Sequence, residues 1–276
     1  MYIDYHTHHD RCGHASGTLR EVVEKAIEKG FDHIGLSDHS PLFMDKRDHA
    51  NPNMTMAKSQ FPVYVEEMLL LREEYKNKID VRIGVESDYI EGLEDRYISI
   101  YEKYPLDYII GSVHYFDGFH VYDPRRWHRG EICVDEEYRK YLKLVQKAAK
   151  SGMFDILGHI DAIKGLNHKA QSDLTPLLEE TAQVIAESGV VVELNTSGLR
   201  KCGEIFPSSA MLKLLHDREV AFTFGSDAHS PEELGYGWKE SMDVLLSLGV
   251  RELATFKARK REMVPIPELT GIPTNK

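Results

Sequence analysis

Short apolar, β-branched runs alternate with amphipathic stretches along the whole chain. The runs at 2–8 (YIDYHTH), 32–38 (DHIGLSD), 80–87 (DVRIGVES), 107–114 (DYIIGSVH), 154–159 (FDILGH), 190–195 (VVVELN) and 220–226 (VAFTFGS) end near Gly, Ser or Asp and predict seven strands. Between and after them, helical spacing predicts helices over 18–30, 61–76, 93–103, 135–150, 173–188, 208–217 and 239–247. In the first, TLREVVEKAIEKG, Thr18 is a fitting N-cap and Gly30 a stop. In the fifth, Leu177, Leu178, Thr181, Val184 and Ile185 fall on one face, and Gly189 follows the last turn.

Seven β-then-α units in series imply parallel strands, because a strand that returns through a helix runs the same way as its predecessor. The closed form expected is an α/β barrel like the TIM barrel with one unit fewer, formed as one domain by residues 1–276. Three connections, 40–60, 115–134 and 196–207, are too long to be simple turns. In a parallel barrel such segments follow the strands and surround the mouth where sites form.

Composition narrows the function. Fractions of 42% hydrophobic and 29% charged residues suit a soluble globular protein, and no apolar run approaches membrane-spanning length. The first residues, MYIDYH, lack the basic and apolar regions of a secretory signal, and the odd, irregularly spaced Cys12, Cys133 and Cys202 read as reduced thiols, so a cytoplasmic protein is expected. A net charge of −11 with no basic cluster opposes binding to nucleic acid. A small anion remains possible if metals or a few arginines meet it locally.

The histidines fall at the ends of the predicted strands. His6 and His8 are two apart, so on a strand they face the same side, while His9 faces away. The second strand ends at His39, the third at Glu86, the fourth at His114 and the fifth at His159; the seventh leads into Asp227 and His229. With His14 after the CG turn, nine donors converge on one mouth, more than one ion needs. Three ions are expected, zinc, manganese or iron, since all three accept mixed imidazole and carboxylate ligands. Glu86 can bridge two of them about 3.5–4 Å apart. His33, His49, His168 and His216 lie away from the strand ends and are expected in ordinary structural roles.

HTH at 6–8, DH at 38–39, GVE at 84–86, SVH at 112–114, GHID at 158–161 and GSDAH at 225–229 resemble, in order, the motifs of the polymerase and histidinol phosphatase (PHP) superfamily. Within it, RCGHASG and ELNTSGLRK with IFPS are similar to the histidinol-phosphate phosphatases of the PHP type. The resemblance implies a distorted (β/α)7 barrel, a three-metal centre and phosphomonoester hydrolysis. It implies His6, His8, Glu86 and Asp227 at one metal, Glu86, His114 and His159 at a second, and His14, His39 and His229 at the third. It also implies L-histidinol phosphate as substrate.

The expected chemistry is in-line attack on phosphorus by a metal-bridging hydroxide, with Glu86, Asp227 and His229 as its central residues. An arginine should meet the phosphate: Arg200 after the sixth strand, or Arg125 or Arg126 in the 115–134 loop. Phe43, Tyr115, Phe116 and Trp127 are candidates to stack on the substrate's imidazole, and Asp45 or Asp117 to pair with its ammonium. Three other readings stand beside this one. An amidohydrolase shares an HxH strand and a late Asp but usually bridges its metals with a lysine from the fourth strand, where this chain offers Glu86 and His114. The others are a phosphoesterase for nucleotides or another small phosphate, and a non-catalytic metal-binding module.

Overall fold

The computed structural model describes residues 1–267. Its elements run β1 (Ile3–Asp4), α1 (Leu19–Glu28), β2 (His33–Leu36), α2 (Gln60–Tyr75), β3 (Asp80–Asp88), α3 (Glu94–Tyr101), β4 (Tyr108–Ser112), β5 (Tyr115–Phe116), β6 (Phe119–His120), α4 (Val134–Lys150), β7 (Ile156–Leu157), α5 (Thr175–Ser188), β8 (Val191–Asn195), α6 (Ser197–Lys201), α7 (Ser209–His216), β9 (Phe222–Gly225), α8 (Trp238–Leu248), β10 (Glu252–Lys257) and β11 (Lys260–Pro265). β1, β2, β3, β4, β7, β8 and β9 lie side by side in that order, all parallel. The two edges then meet: Tyr5 N–H donates to the Phe224 carbonyl at 3.0 Å and His8 N–H to the Ala228 carbonyl at 2.8 Å. The sheet is thereby nearly closed into a distorted (β/α)7 barrel, as the serial units predict.

Local chemistry sets the elements. Thr18 caps α1 in a full capping box with Glu21, and Gly189 ends α5 in the left-handed region at φ 72°. On α5, Thr181, Val184 and Ile185 are buried, and Leu177 and Leu178 pack half-buried against the same core. The strand interiors are buried on both faces, as in a parallel sheet covered by helices.

Three local differences from the sequence reading bear on the site. Regular pairing in the first strand stops at Asp4 and resumes only as a single bridge at Thr7, since the segment carrying His6 and His8 bends from β2 towards β9. The 196–207 connection holds the short helix α6, and the 115–134 connection holds the hairpin β5–β6. A C-terminal hairpin, β10–β11, covers the other end of the barrel: Arg82 donates to the Phe256 carbonyl at 2.7 Å, and Asp107 accepts from Ala258 N–H at 2.9 Å. Loops can therefore vary at the mouth while the base stays plugged. Among the described residues, no helix is long and apolar enough to cross a membrane.

Candidate metal centre

Glu86, at the end of β3, is the hub of the mouth. Its Oε1 accepts from Ser112 Oγ at 2.6 Å and lies 3.1 Å from His159 Nε2 and 3.5 Å from His114 Nε2. Its Oε2 lies 2.8 Å from His39 Nδ1, 3.4 Å from His6 Nε2 and 3.5 Å from His8 Nε2. Asp227 enters from the β9 side, with Oδ1 3.2 Å from His8 Nε2 and 3.7 Å from His6 Nε2. His14 and His229 complete the ring, their Nε2 atoms 3.0 Å apart. The nine donors singled out in the sequence thus meet in one place.

Two backbone features make that approach possible. Gly225 allows β9 to press against β1 and β8, because a Cβ there would fall 1.8 Å from Glu193 Oε1 and 2.5 Å from His6 Cβ. Gly13, at φ 83°, turns the chain after Cys12 and so presents His14; a Cβ there would strike the Pro52 carbonyl oxygen at 1.9 Å. His159 and Asp227, which follow β7 and β9, themselves hold positive φ of 23° and 54°. Such conformations cost energy in residues with side chains and gather at functional sites.

Oriented partners stand behind the imidazoles. His6 Nδ1 lies 2.7 Å from Glu193 Oε1, His8 Nδ1 3.1 Å from Asp38 Oδ1 and His114 Nδ1 2.9 Å from Asp88 Oδ1. A carboxylate at Nδ1 holds the proton there and turns the Nε2 lone pair inward, the arrangement that metal-binding histidines use. His229 Nδ1 faces the Asp227 carbonyl at 2.9 Å and His14 Nδ1 the Cys12 carbonyl at 3.4 Å, so their two Nε2 atoms oppose each other as lone pairs. A cation between or beside them relieves that opposition. The buried His6 Nε2, His8 Nε2 and Glu86 Oε2 have no hydrogen-bond partner, a costly state for buried polar atoms unless an ion completes them.

The electrostatics agree. Burial works against charge on Glu86, but His39, His6 and His114 outweigh it and hold its carboxyl well below the usual range. Burial likewise opposes ionisation of Asp227, yet Lys201 and His6 keep its carboxyl well below the ordinary value. His14 is pushed down to about 4 by burial and by His39, which leaves its imidazole free to bind a metal at neutral pH. The triads His6, His8 and Glu86 and His6, His159 and Asp227, both buried, and the partly buried triads His39, Glu86 and His114 and His8, His39 and His229 each bring ligand atoms within 4.8 Å of one another. These clusters of His, Asp and Glu are consistent with several metal ions.

Above the donors opens a cavity of about 480 Å³, whose wall includes Met54, His120, Tyr122, Arg200, Lys201 and Glu233. Arg200 lies over the Tyr236 ring at 4.7 Å, with its guanidinium 3.6 Å from Glu233 Oε2. The other two arginines do not reach this space. Arg126 is fully buried, committed to Glu137 at 2.8 Å and to the Phe116 and Phe119 carbonyls, so it holds the β5–β6 hairpin in place. Arg125 is exposed and paired with Asp123 at 2.7 Å.

The loop aromatics and acids are likewise engaged elsewhere. Phe43 packs on Phe61, Tyr97 and Tyr101, Phe116 lies under the Arg126 guanidinium, and Trp127 stacks on His168 at 4.2 Å. Tyr115 accepts from Asn51 at 3.3 Å at the surface, Asp45 pairs with Arg47, and Asp117 with Lys140. His9 turns to Asp38 and Tyr64, away from the donor ring. His33, His49, His168 and His216 are not part of the cavity wall.

The sequence reading missed Asp38, Asp88 and Glu193 behind the donors, and His120, Tyr122 and Lys201 in the wall. Glu193 had a faint signal, an acid inside the apolar run VVVELN.

Comparison with known proteins decides the family. The PHP domain matches residues 4–197, and a PHP-associated region matches residues 211–244. The chain belongs to the PHP family. A Deinococcus radiodurans protein named "Probable histidinol-phosphatase" is 32% identical over 267 residues, covering 94% of this chain and 98% of that one. The histidinol-phosphatase of Bacillus subtilis is 30% identical over 263 residues, covering 87% of this chain and 98% of its own. Among solved structures, the histidinol phosphate phosphatase of Lactococcus lactis, complexed with zinc, L-histidinol and phosphate, superposes with a TM-score of 0.78 at 21% identity, over 95% of this chain and 98% of that one. This last likeness establishes a shared PHP fold.

Proposed function

We propose that this PHP-family phosphoesterase hydrolyses L-histidinol phosphate to L-histidinol and phosphate, a step of histidine biosynthesis. The observation that carries the chemistry is the ring of nine donors centred on Glu86, buried except at His14 and His229, opening into a cavity edged by Arg200 and Lys201. The names of the Deinococcus and Bacillus relatives, at about a third identity over nearly their full length, support the substrate. The ligands of the Lactococcus structure suit the same reading. A cavity of about 480 Å³ is in the range that encloses a small ester.

The residues that would hold three divalent ions, zinc, manganese or iron, are His6, His8, Glu86 and Asp227; Glu86, His114 and His159; and His14, His39 and His229. His39, with Nδ1 only 2.8 Å from Glu86, stands where the second and third groups join. Bound there, such ions supply a water of lowered pKa and positive charge for the phosphoryl oxygens.

The chain's own residues do the rest. Asp38, Asp88 and Glu193 lock three imidazoles so that they need not reorganise during the reaction. Arg200 meets the phosphate from the wall with two parallel donors, and Lys201, 3.5 Å from Asp227 Oδ2, adds a point charge beside the donor ring.

Phosphate release from L-histidinol phosphate, measured beside nucleotides and sugar phosphates on protein of counted metal content, tests the proposal. Strong preference for histidinol phosphate with about three metals bound is expected. Preference for another ester would move the substrate but keep the chemistry, and full loading with no release from any ester would sink the catalytic reading. Arg200→Ala should raise KM and lower kcat/KM by roughly 10- to 100-fold, the loss of a charge-assisted pair. Unchanged kinetics would pass the phosphate to Lys201.

A further inference from the structure

His120 stands in the cavity wall, yet it belongs to none of the compact donor groups. It comes from β6, the second strand of the hairpin that follows β4, and its ring stacks on that of His114 at 5.2 Å with only 11° between the planes. Its Nδ1 lies 3.2 Å from the backbone nitrogen of Tyr122. A backbone N–H can only donate, so this Nδ1 accepts, the ring is neutral, and its proton sits on Nε2. Among the described residues no group engages that Nε2–H. Beside it, the hydroxyl of Tyr122 is buried without a partner.

Building on the phosphomonoesterase reading, we propose that His120 is a catalytic residue whose Nε2–H donates a hydrogen bond to the ester's leaving oxygen. Two features favour that oxygen over the phosphoryl oxygens. Arg200 and Lys201 serve the charged phosphoryl oxygens from α6, whereas His120 approaches from the β4 side. A neutral donor suits an oxygen that carries little charge in the ester and gains it as the P–O bond breaks. The hairpin is also rigid, because Arg126 ties the Phe116 and Phe119 carbonyls to Glu137. A water-derived oxygen forms a new bond to phosphorus as the ester P–O bond cleaves, and the electron pair of the cleaved bond goes to the leaving oxygen. The hydrogen bond stabilises that oxygen, and water delivers the proton that completes the alcohol.

The test is the dependence of rate on leaving group. Wild type, His120→Phe and His120→Gln are compared on L-histidinol phosphate and on p-nitrophenyl phosphate, whose acidic phenol needs less help to leave, with metals counted in each. His120→Phe is expected to lower kcat on histidinol phosphate about 100-fold and on p-nitrophenyl phosphate at least tenfold less, at equal metal content. His120→Gln, which keeps an N–H, should recover part of the loss. Equal losses on both substrates, no loss, or no recovery by Gln would overturn the donor role. Loss of metal in both variants would instead make His120 a support for His114 and overturn it too. A wild type that hydrolyses neither ester would fail the phosphomonoesterase reading itself, an outcome separate from these.

Discussion

Replacing Glu86 by Gln will lower turnover by at least about 10³-fold and cut the bound metal below the wild-type count, while the chelated variant melts close to chelated wild type. Removing a residue that only orients a ligand typically costs 10- to 100-fold, and Glu86 faces the donors themselves. Its two oxygens lie within 3.5 Å of five imidazoles, from His6, His8, His39, His114 and His159. Gln fills the same volume and can keep the hydrogen bond from Ser112, so the packing survives. What disappears is the negative charge at the point shared by the groups. Atomic absorption on the purified variant and a phosphate-release assay check the result. Near-normal turnover with a full metal complement would sink the bridging role of Glu86.

That Glu86 could be singled out from sequence follows from how a parallel barrel works. Apolar runs fix the strands, strand ends share one mouth, and so a donor at a strand end needs no further information to be placed there. His39, Glu86, His114 and His159 were legible on those terms. Glu193 was not, because its role depends on which strands meet when the sheet closes: it sits within β8 and holds His6, which follows β1. In the sequence β8 carries none of the nine donors. His120 was hidden for a related reason, since a hairpin inside a long connection has no periodicity to announce it. The β10–β11 hairpin escaped because Leu253, Ala254, Thr255 and Phe256 are all buried and show no alternation. Its turn also takes positive φ at Ala258 and Arg259, where Gly or Asn would have signalled it.

Metal removal will have the other large effect, and pH will modulate it in a defined direction. If three sites are filled at about 100 times Kd, each adds about 2.7 kcal/mol to the folded state. At about 2 °C per kcal/mol for a chain of this size, chelation should then lower Tm by about 15 °C or more. In the chelated protein, burial disfavours a charged His8, but Asp227 and Asp38, which face its two ring nitrogens, and the charge of Glu86 outweigh that and raise it to about 9. A raised folded pKa means stability that is fully present below about 6.5, the unfolded value, and is lost as pH rises through about 9. The loaded protein responds in the opposite sense, because a metal at His8 Nε2 must displace the proton, and that competition weakens as pH rises. The Tm difference between loaded and chelated protein should therefore widen from pH 6 to pH 9, readable by calorimetry at fixed free metal. A difference that stays constant over that range would remove His8 from the metal ligands, because an imidazole that binds the ion cannot remain indifferent to the proton it displaces.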